Sequence, residues 1–523
     1  MGDGMKRWSL LMGMLAGVAI LAGTVWFTSP YAPPVRPCPE DIEEIWAIED
    51  AREESGRPLI GALENHGVPL GYDAQENTFY CPLGLECGEN WPELALTAPG
   101  AKGVGLVFVD DYSYDWCNEA IAEGYPYQLM AYTDEAYWYT QIVFTGLPII
   151  SLAAEAEIGL TDTAVKLCFS TAEETAAAVA YAHQRGAGSL ALSDKKSYKI
   201  DFGAPGETRQ LEVPGIGVAD DIILLAGVMD DSLMRDRLSW DIYAMIAEEG
   251  EIYGPRDMQY VELFIDNRYA GVYMMMEPVD DGEELSRLGA NAPLTDCVYR
   301  TAQIAYAGER PFVKNAVRAD SIYELYHAPS MEHAFDALES WLALENMPEG
   351  EAYDEAFARL AEACVDVDSL MRYYLFIQAG GMSDNVFNNM YLLSVRTGEG
   401  VRYRFAPWDM DLTWGRFKDE ATGEFYQGLF SFPIAVRMLE TDAGGARASL
   451  ARQWAVMRER VFTADNIRGL VEGYLRELSD SGAYLRNSLR WRGDAYRADG
   501  DEILAFCENR FSVLDALLSE YAD

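Results

Sequence analysis

Basic residues are scarce, with 40 Lys and Arg against 85 Asp and Glu and a net charge of −45. A chain this acidic has no basic face for nucleic acid or an anionic membrane surface, so neither is expected as a partner. Histidine is scarcer still. His66, His183, His327 and His333 are widely scattered, and the eight cysteines include no C-x-x-C pair. That pattern argues against zinc sites and catalytic redox centres built on those residues. There is no G-x-S-x-G stretch, and too few histidines lie near any serine for hydrolase chemistry. Internal repeats and low-complexity tracts are also missing.

Only one long hydrophobic run occurs, SLLMGMLAGVAILAGTVWF at 9–27, preceded by Lys6 and Arg7. It is long enough to cross a bilayer as one helix. Basic residues before it and an acidic chain after it predict that the bulk of the protein lies outside the cytoplasm, secreted or membrane-anchored. The following TSPYAPP offers no clean A-x-A cleavage site, which favours a signal anchor over a cleaved signal peptide. Export permits disulfides, and Cys81–Cys87 is the closest local pair.

What is present reads as folded. Half of the residues are apolar and 12% aromatic. At 523 residues, two or three domains are expected. Residues 1–35 form the anchor and a Pro-rich spacer. Residues 36–145 open on an acidic helix and continue in short apolar runs such as NTFYC, GVGLVFV and YTQIVFT, a β-rich accessory region. Residues 146–285 form a second β-rich section. Within it, 231–250 carries a helical stripe of Leu233, Leu238, Ile242 and Ile246. VELFIDNRYAGVYMMM reads as two strands turning at Asp266–Asn267. From 286 to 523 helices dominate, at 331–345, 353–364, 368–380, 448–461, 464–478 and 500–521. The exception is one hairpin.

That hairpin, in SDNVFNNMYLLSVRTGEGVRYRFAPWDMDLTWG at 383–415, carries the chemistry. NNMYLLSV and VRYRFAPW read as strands. A turn near 398–399 puts Asn389 opposite Trp408 and beside Asp409. Side chains alternate along extended backbone, so Asp409 and Asp411 point one way and Met410 the other. Asp384 sits just before Asn389, after a helix stopped at Gly380–Gly381. Two carboxylates and an amide oxygen make a hard-oxygen set suited to Mg²⁺ or Mn²⁺. In phosphoryl transfer an Asp accepts or orients the attacking hydroxyl, while an Asn and a downstream Asp hold the metal. Singly, each residue reads equally well as a cap or turn former; the ensemble carries the signal.

Asp-x4-Asn-x-Tyr-Leu followed by Pro-Trp-Asp-x-Asp-Leu-x-aromatic-Gly resembles the signature of the CotH family, the spore-coat-protein-H-like atypical kinases. Arg185-Gly-Ala-Gly-Ser, Lys195-Lys-Ser-Tyr-Lys-Ile, Asp231-Ser-Leu-Met-Arg, Tyr269-Ala-Gly-Val-Tyr…Glu277, Arg452-x-Trp-x-x-Met-Arg and Trp491 extend the likeness from about residue 145 to the end. The resemblance implies an α+β, protein-kinase-like two-lobe fold, with a β-rich N-lobe at 146–285 and a helical C-lobe at 286–523. It implies transfer of the γ-phosphoryl of ATP, with Mg²⁺ or Mn²⁺, to Ser or Thr of an exported surface or spore-coat protein. Asp384 then takes the catalytic aspartate's place, and Asn389, Asp409 and Asp411 those of the metal ligands. Trp408 packs beside the nucleotide or in the core. Glu277 ends a strand where a hinge would begin, its backbone meeting adenine.

Of only eight lysines, Lys195, Lys196 and Lys199 fall together. A polyanion needs local positive charge, which points to Lys199, or alternatively Lys196, as the phosphate-binding lysine. A solvated strand edge explains the same cluster. The Arg185-Gly186-Ala187-Gly188 turn brings backbone N–H groups toward phosphate without a G-x-x-x-x-G-K pattern. Glu248 and Glu249 are poorly placed to pair with Lys199. Asn385 stands where many relatives carry Arg, and no histidine precedes it. Two competing readings are a catalytically inactive kinase-like scaffold of the cell or spore surface and, more weakly, a glycosidase with paired carboxylates.

Overall fold

The computed structural model describes residues 33–247, 258–278, 295–301, 323–328, 330–386, 388–397, 400–416, 427–492 and 496–521. The apolar run 9–27, Glu248, Glu249 and the 398–399 turn lie outside them. Among the described residues, no helix is long and apolar enough to cross a membrane. The chain is a mixed α+β protein.

The first unit is a sheet in the order Val35–Arg36, Gly105–Phe108, Tyr127–Tyr132, Ala136–Thr145, Thr78–Pro82, Gly71–Asp73, with Glu53–Glu54 also paired to Ala136–Thr145. Its apolar face packs Phe79, Leu106, Leu129, Ile142 and Phe144 under the short helix Cys117–Glu123. Cys81 is enclosed in this core, and all eight cysteines are free thiols. The expected Cys81–Cys87 bridge is not formed: Cys81 is enclosed within strand Thr78–Pro82, and the Cys87 thiol contacts the Gly88 carbonyl at 3.7 Å.

Thr145 ends that sheet and Ile149 begins a closed seven-stranded barrel. Its strands alternate with period two, so Leu152, Leu167, Ile200, Leu224, Leu263 and Met275 fill the interior. The β-rich character was expected, but the closure was not. Closure comes from parallel pairing of Ile149–Ala154 with Gln259–Ile265, between segments far apart in sequence. The Asp266–Asn267 turn has the positive φ angles, 50° and 57°, of a two-residue hairpin. On the outer face, buried Glu262 receives Arg486 Nε at 2.8 Å and Nη2 at 2.9 Å, which fastens the barrel to the C-terminal helices.

Helix Val367–Gly380 is the centre of the remaining unit. Every residue from Ser369 to Gly380 is buried, the polar Arg372 and Gln378 included, so the helix is enclosed on all sides. Helices Ala446–Arg460 and Asp501–Leu518 pack around it. Helices Pro433–Thr441 and Ala483–Arg490 were not anticipated. The hairpin is also less isolated than expected. Met390–Thr397 and Gly400–Pro407 extend a four-stranded antiparallel sheet with Tyr323–His327 and Thr295–Thr301. Their pairing joins segments distant in sequence, such as Tyr299 opposite Leu392, which local patterning does not reveal.

Candidate active site

The site begins where the central helix stops. Gly381, at φ 66°, takes the left-handed conformation that glycine adopts without a Cβ penalty, and Met382 N–H closes the cap on Ile377 O at 2.9 Å. The chain then makes a short turn, Ser383–Asn385, that presents Asp384. Asn385 is 1% exposed, and its Nδ2 donates to the carbonyls of Asn389 at 2.9 Å and Trp408 at 2.8 Å. This bond pair fixes the turn against the mouth of the hairpin.

The strand register is Met390 opposite Pro407, and Trp408 N–H donates to Asn389 O at 2.8 Å. Asn389 and Trp408 therefore face each other, as the turn position predicts. Asn389 (φ 50°) and Asp409 (φ 54°) both adopt the left-handed region. Asn and Asp tolerate that region better than other non-glycine residues, yet it still costs on the order of 1 kcal/mol each. Asp384 accepts from Asn389 Nδ2 at 3.1 Å and from Asn388 Nδ2 at 3.2 Å. With its nitrogen turned to Asp384, Asn389 offers a cation its amide oxygen.

Asp384, Asn389, Asp409 and Asp411 line one cleft of about 370 Å³ between the barrel and the helical unit. Met410 points away into the core. Opposite, the cleft is walled by Arg185, Gly186 and Ser189 and by apolar residues that include Leu225 and Met276. Trp408 forms part of the lining, with the Arg185 guanidinium 5.5 Å from its ring centroid. It also packs edge-on against Trp240 and Tyr391.

A fourth carboxylate was not foreseen. Asp236 lies in the first turn of helix Arg235–Ile246, lines the cleft, is 4% exposed and accepts from Met410 N–H at 2.8 Å. Burial, then the Asp409 charge, pushes its carboxyl up to about 8. Burial likewise drives Asp411 well above the carboxylate range, with Asp409, Asp236, Asp230 and Asp384 all adding to the rise. An aspartate in a helix's first turn ordinarily reads as an answer to the helix dipole, so nothing local marked it. Its neighbour Arg235, 1% exposed, bonds Asp230 and the carbonyl of Thr413 at 3.1 Å and clamps the 409–414 loop onto the helix.

The expected lysines are elsewhere. Lys199 is held by Asp221 at 2.7 Å and Asp201 at 2.9 Å, and Ser197, one pleat earlier on the same strand face, lines the cleft instead. Lys196 donates to the carbonyls of Leu190 at 3.1 Å, Ser189 and Ser193, bracing the short helix Ala187–Leu192 from beneath. Lys195 is fully buried and bonds Val272 O at 2.6 Å and Asn487 Oδ1 at 3.1 Å. Glu277 is buried beyond the strand that ends at Met276, and Met276 is the residue that reaches the lining. Arg185 is the one basic side chain among the described residues lining the cleft.

Crowded carboxylates whose protons are held this firmly lack positive charge. Hard oxygen donors from Asp409, Asp411 and Asn389 fit a Mg²⁺- or Mn²⁺-class cation, which would reverse those shifts. The set makes little sense for a soft metal.

Comparison with known proteins agrees with this chemistry. No curated protein matches the chain. The family model described as CotH kinase protein matches residues 182–514, more than half of the chain and all of the cleft residues above. The protein belongs to the CotH kinase family and is kinase-like.

Proposed function

We propose that the protein is an ATP-dependent phosphotransferase acting on Ser or Thr of another protein, with the barrel and the helical unit as the two lobes around the nucleotide. The observation carrying this reading is the convergence of Asp384, Asn389, Asp409 and Asp411 on one cleft, with Arg185 across from them. Asp409, Asp411 and the Asn389 amide oxygen would hold Mg²⁺ or Mn²⁺, which neutralises phosphate charge when bound. Asp384, oriented by Asn388 and Asn389, accepts the proton of the acceptor hydroxyl. Arg185 takes the phosphate-facing role that sequence reasoning gave to a lysine, as a guanidinium suits phosphate geometry. The apolar wall around Leu225 and Met276 receives a base. The acceptor is an exported or surface protein, and residues 9–27 tether or export this one.

Incubating the protein with γ-labelled ATP, Mg²⁺ or Mn²⁺ and a panel of Ser/Thr proteins tests the proposal. Phosphoprotein should form, and Asp409→Ala should abolish it. Label that survives Asp409→Ala sinks the assignment. The engagement of all three clustered lysines outside the cleft favours a second reading, a nucleotide-free scaffold. Calorimetry showing no Mg-ATP binding would establish that reading instead.

A further inference from the structure

We propose that Cys87 and Cys117 are the partners of a disulfide that clasps the accessory domain at its junction with the rest of the chain. Both sulfurs belong to one apolar core, Cys117 buried and Cys87 half-buried. The chain bends at Gly88 (φ 61°), whose carbonyl accepts from Asn118 N–H at 2.9 Å, while Glu89 O accepts from Cys117 N–H at 3.2 Å. Those two bonds lay residues 87–89 directly along 117–118. The Cys87 sulfur lies at that crossing, 3.7 Å from the Gly88 carbonyl that Asn118 N–H also reaches. Burial pushes the Cys117 thiol up, and the Cys87 contact is the next cause. Cys81, the third sulfur nearby, is enclosed within strand Thr78–Pro82 and acts on Cys117 more weakly.

The chemistry is ordinary thiol–disulfide exchange, with a glutathione-type disulfide as oxidant. Half-buried Cys87 is the sulfur such a reagent reaches first. Its thiolate attacks one glutathione sulfur and releases one glutathione thiolate, which takes up a proton. Cys117 then gives up its proton, and its sulfur displaces the second glutathione from Cys87. Two protein S–H bonds become one S–S bond, and the disulfide reagent becomes two thiols.

The position gives the bond a use. Leu85, in the same turn as Cys87, sits against Gly146 in the link to the barrel. The helix that starts at Cys117 ends with the carbonyls of Ile121 and Ala122 packed on Gly482, between the C-terminal helices. A covalent clasp would hold these two docking pieces in one frame. Nothing in it depends on phosphoryl transfer, so its failure leaves the kinase reading standing.

The test equilibrates the full chain with glutathione disulfide and glutathione, alkylates it in denaturant and maps peptides without reduction. The expected product joins Cys87 to Cys117 with the other cysteines alkylated. The Cys81→Ala variant should keep that link, while Cys117→Ser should leave Cys87 as its glutathione adduct. Oxidation should raise the melting temperature of the parent by roughly 5 °C, as closure of a loop of this size predicts, and should not raise that of Cys87→Ser. Alkylation of both Cys87 and Cys117 after equilibration overturns the proposal. A link through Cys81 does the same.

Discussion

Replacing Asp236 by Asn tests the electrostatics of the cleft without relying on activity. The carboxyl is 4% exposed and is pushed from its ordinary range to about 8 by burial and by Asp409. A folded-state pKa above the unfolded one means the folded protein binds the proton more tightly. Stability from this group is therefore full below pH 4 or so and is lost as pH rises toward 8. A displacement of that size corresponds to roughly 6 kcal/mol at its limit, and relaxation and water entry reduce it to about 1–3 kcal/mol. Asp236→Asn keeps the Oδ1 that accepts from Met410 N–H at 2.8 Å, so packing and the hydrogen bond survive. In EDTA, urea denaturation at pH 8.5 should show the variant more stable than the parent by about 1–3 kcal/mol, with the difference vanishing near pH 4. Added Mg²⁺ or Mn²⁺ should stabilise the parent more than the variant, since the cation supplies the missing charge. A variant that is less stable than the parent at pH 8.5 without metal would refute the claim of uncompensated repulsion.

Two further substitutions test other buried charges. Glu64 is 3% exposed, its Oε1 has no hydrogen-bond partner among the described residues, and burial raises its carboxyl to about 7. Glu64→Gln should therefore stabilise the protein at pH 8 by on the order of 1 kcal/mol and leave it unchanged near pH 4.5. Equal effects at both pH values in thermal melts would refute this. Glu262→Gln should destabilise by about 3–5 kcal/mol, because it leaves the enclosed Arg486 guanidinium without its counter-charge. A chemical-denaturation loss below about 1 kcal/mol would show that the pair does not fasten the barrel to the C-terminal helices.

Local geometry was readable from sequence, and tertiary convergence was not. Gly380–Gly381 ends a helix, Asp266–Asn267 turns a hairpin, and Asn389 pairs with Trp408. The first two follow from adjacent residues, and the third from the register of a single hairpin. Asp236 reaches the loop it supports across 174 residues, and no periodicity reveals such a contact. The lysine cluster misled for a related reason. Composition shows that positive charge is concentrated at 195–199 but not which carboxylates the fold sets beside it, and Asp201 and Asp221 capture Lys199. Barrel closure depended on a parallel pairing between distant strands. Cysteine spacing suggested a Cys81–Cys87 pair, whereas a turn at Gly88 lays residues 88–89 along 117–118 and carries Cys87 toward Cys117.

The buried amide of Asn385 has a thermodynamic corollary. By gripping one carbonyl from each strand, it keeps the hairpin mouth at a constant gape, with a left-handed residue on either side. Donors held in this way are arrayed before any ion arrives. The entropy of arranging them is spent during folding, and capture is correspondingly tighter.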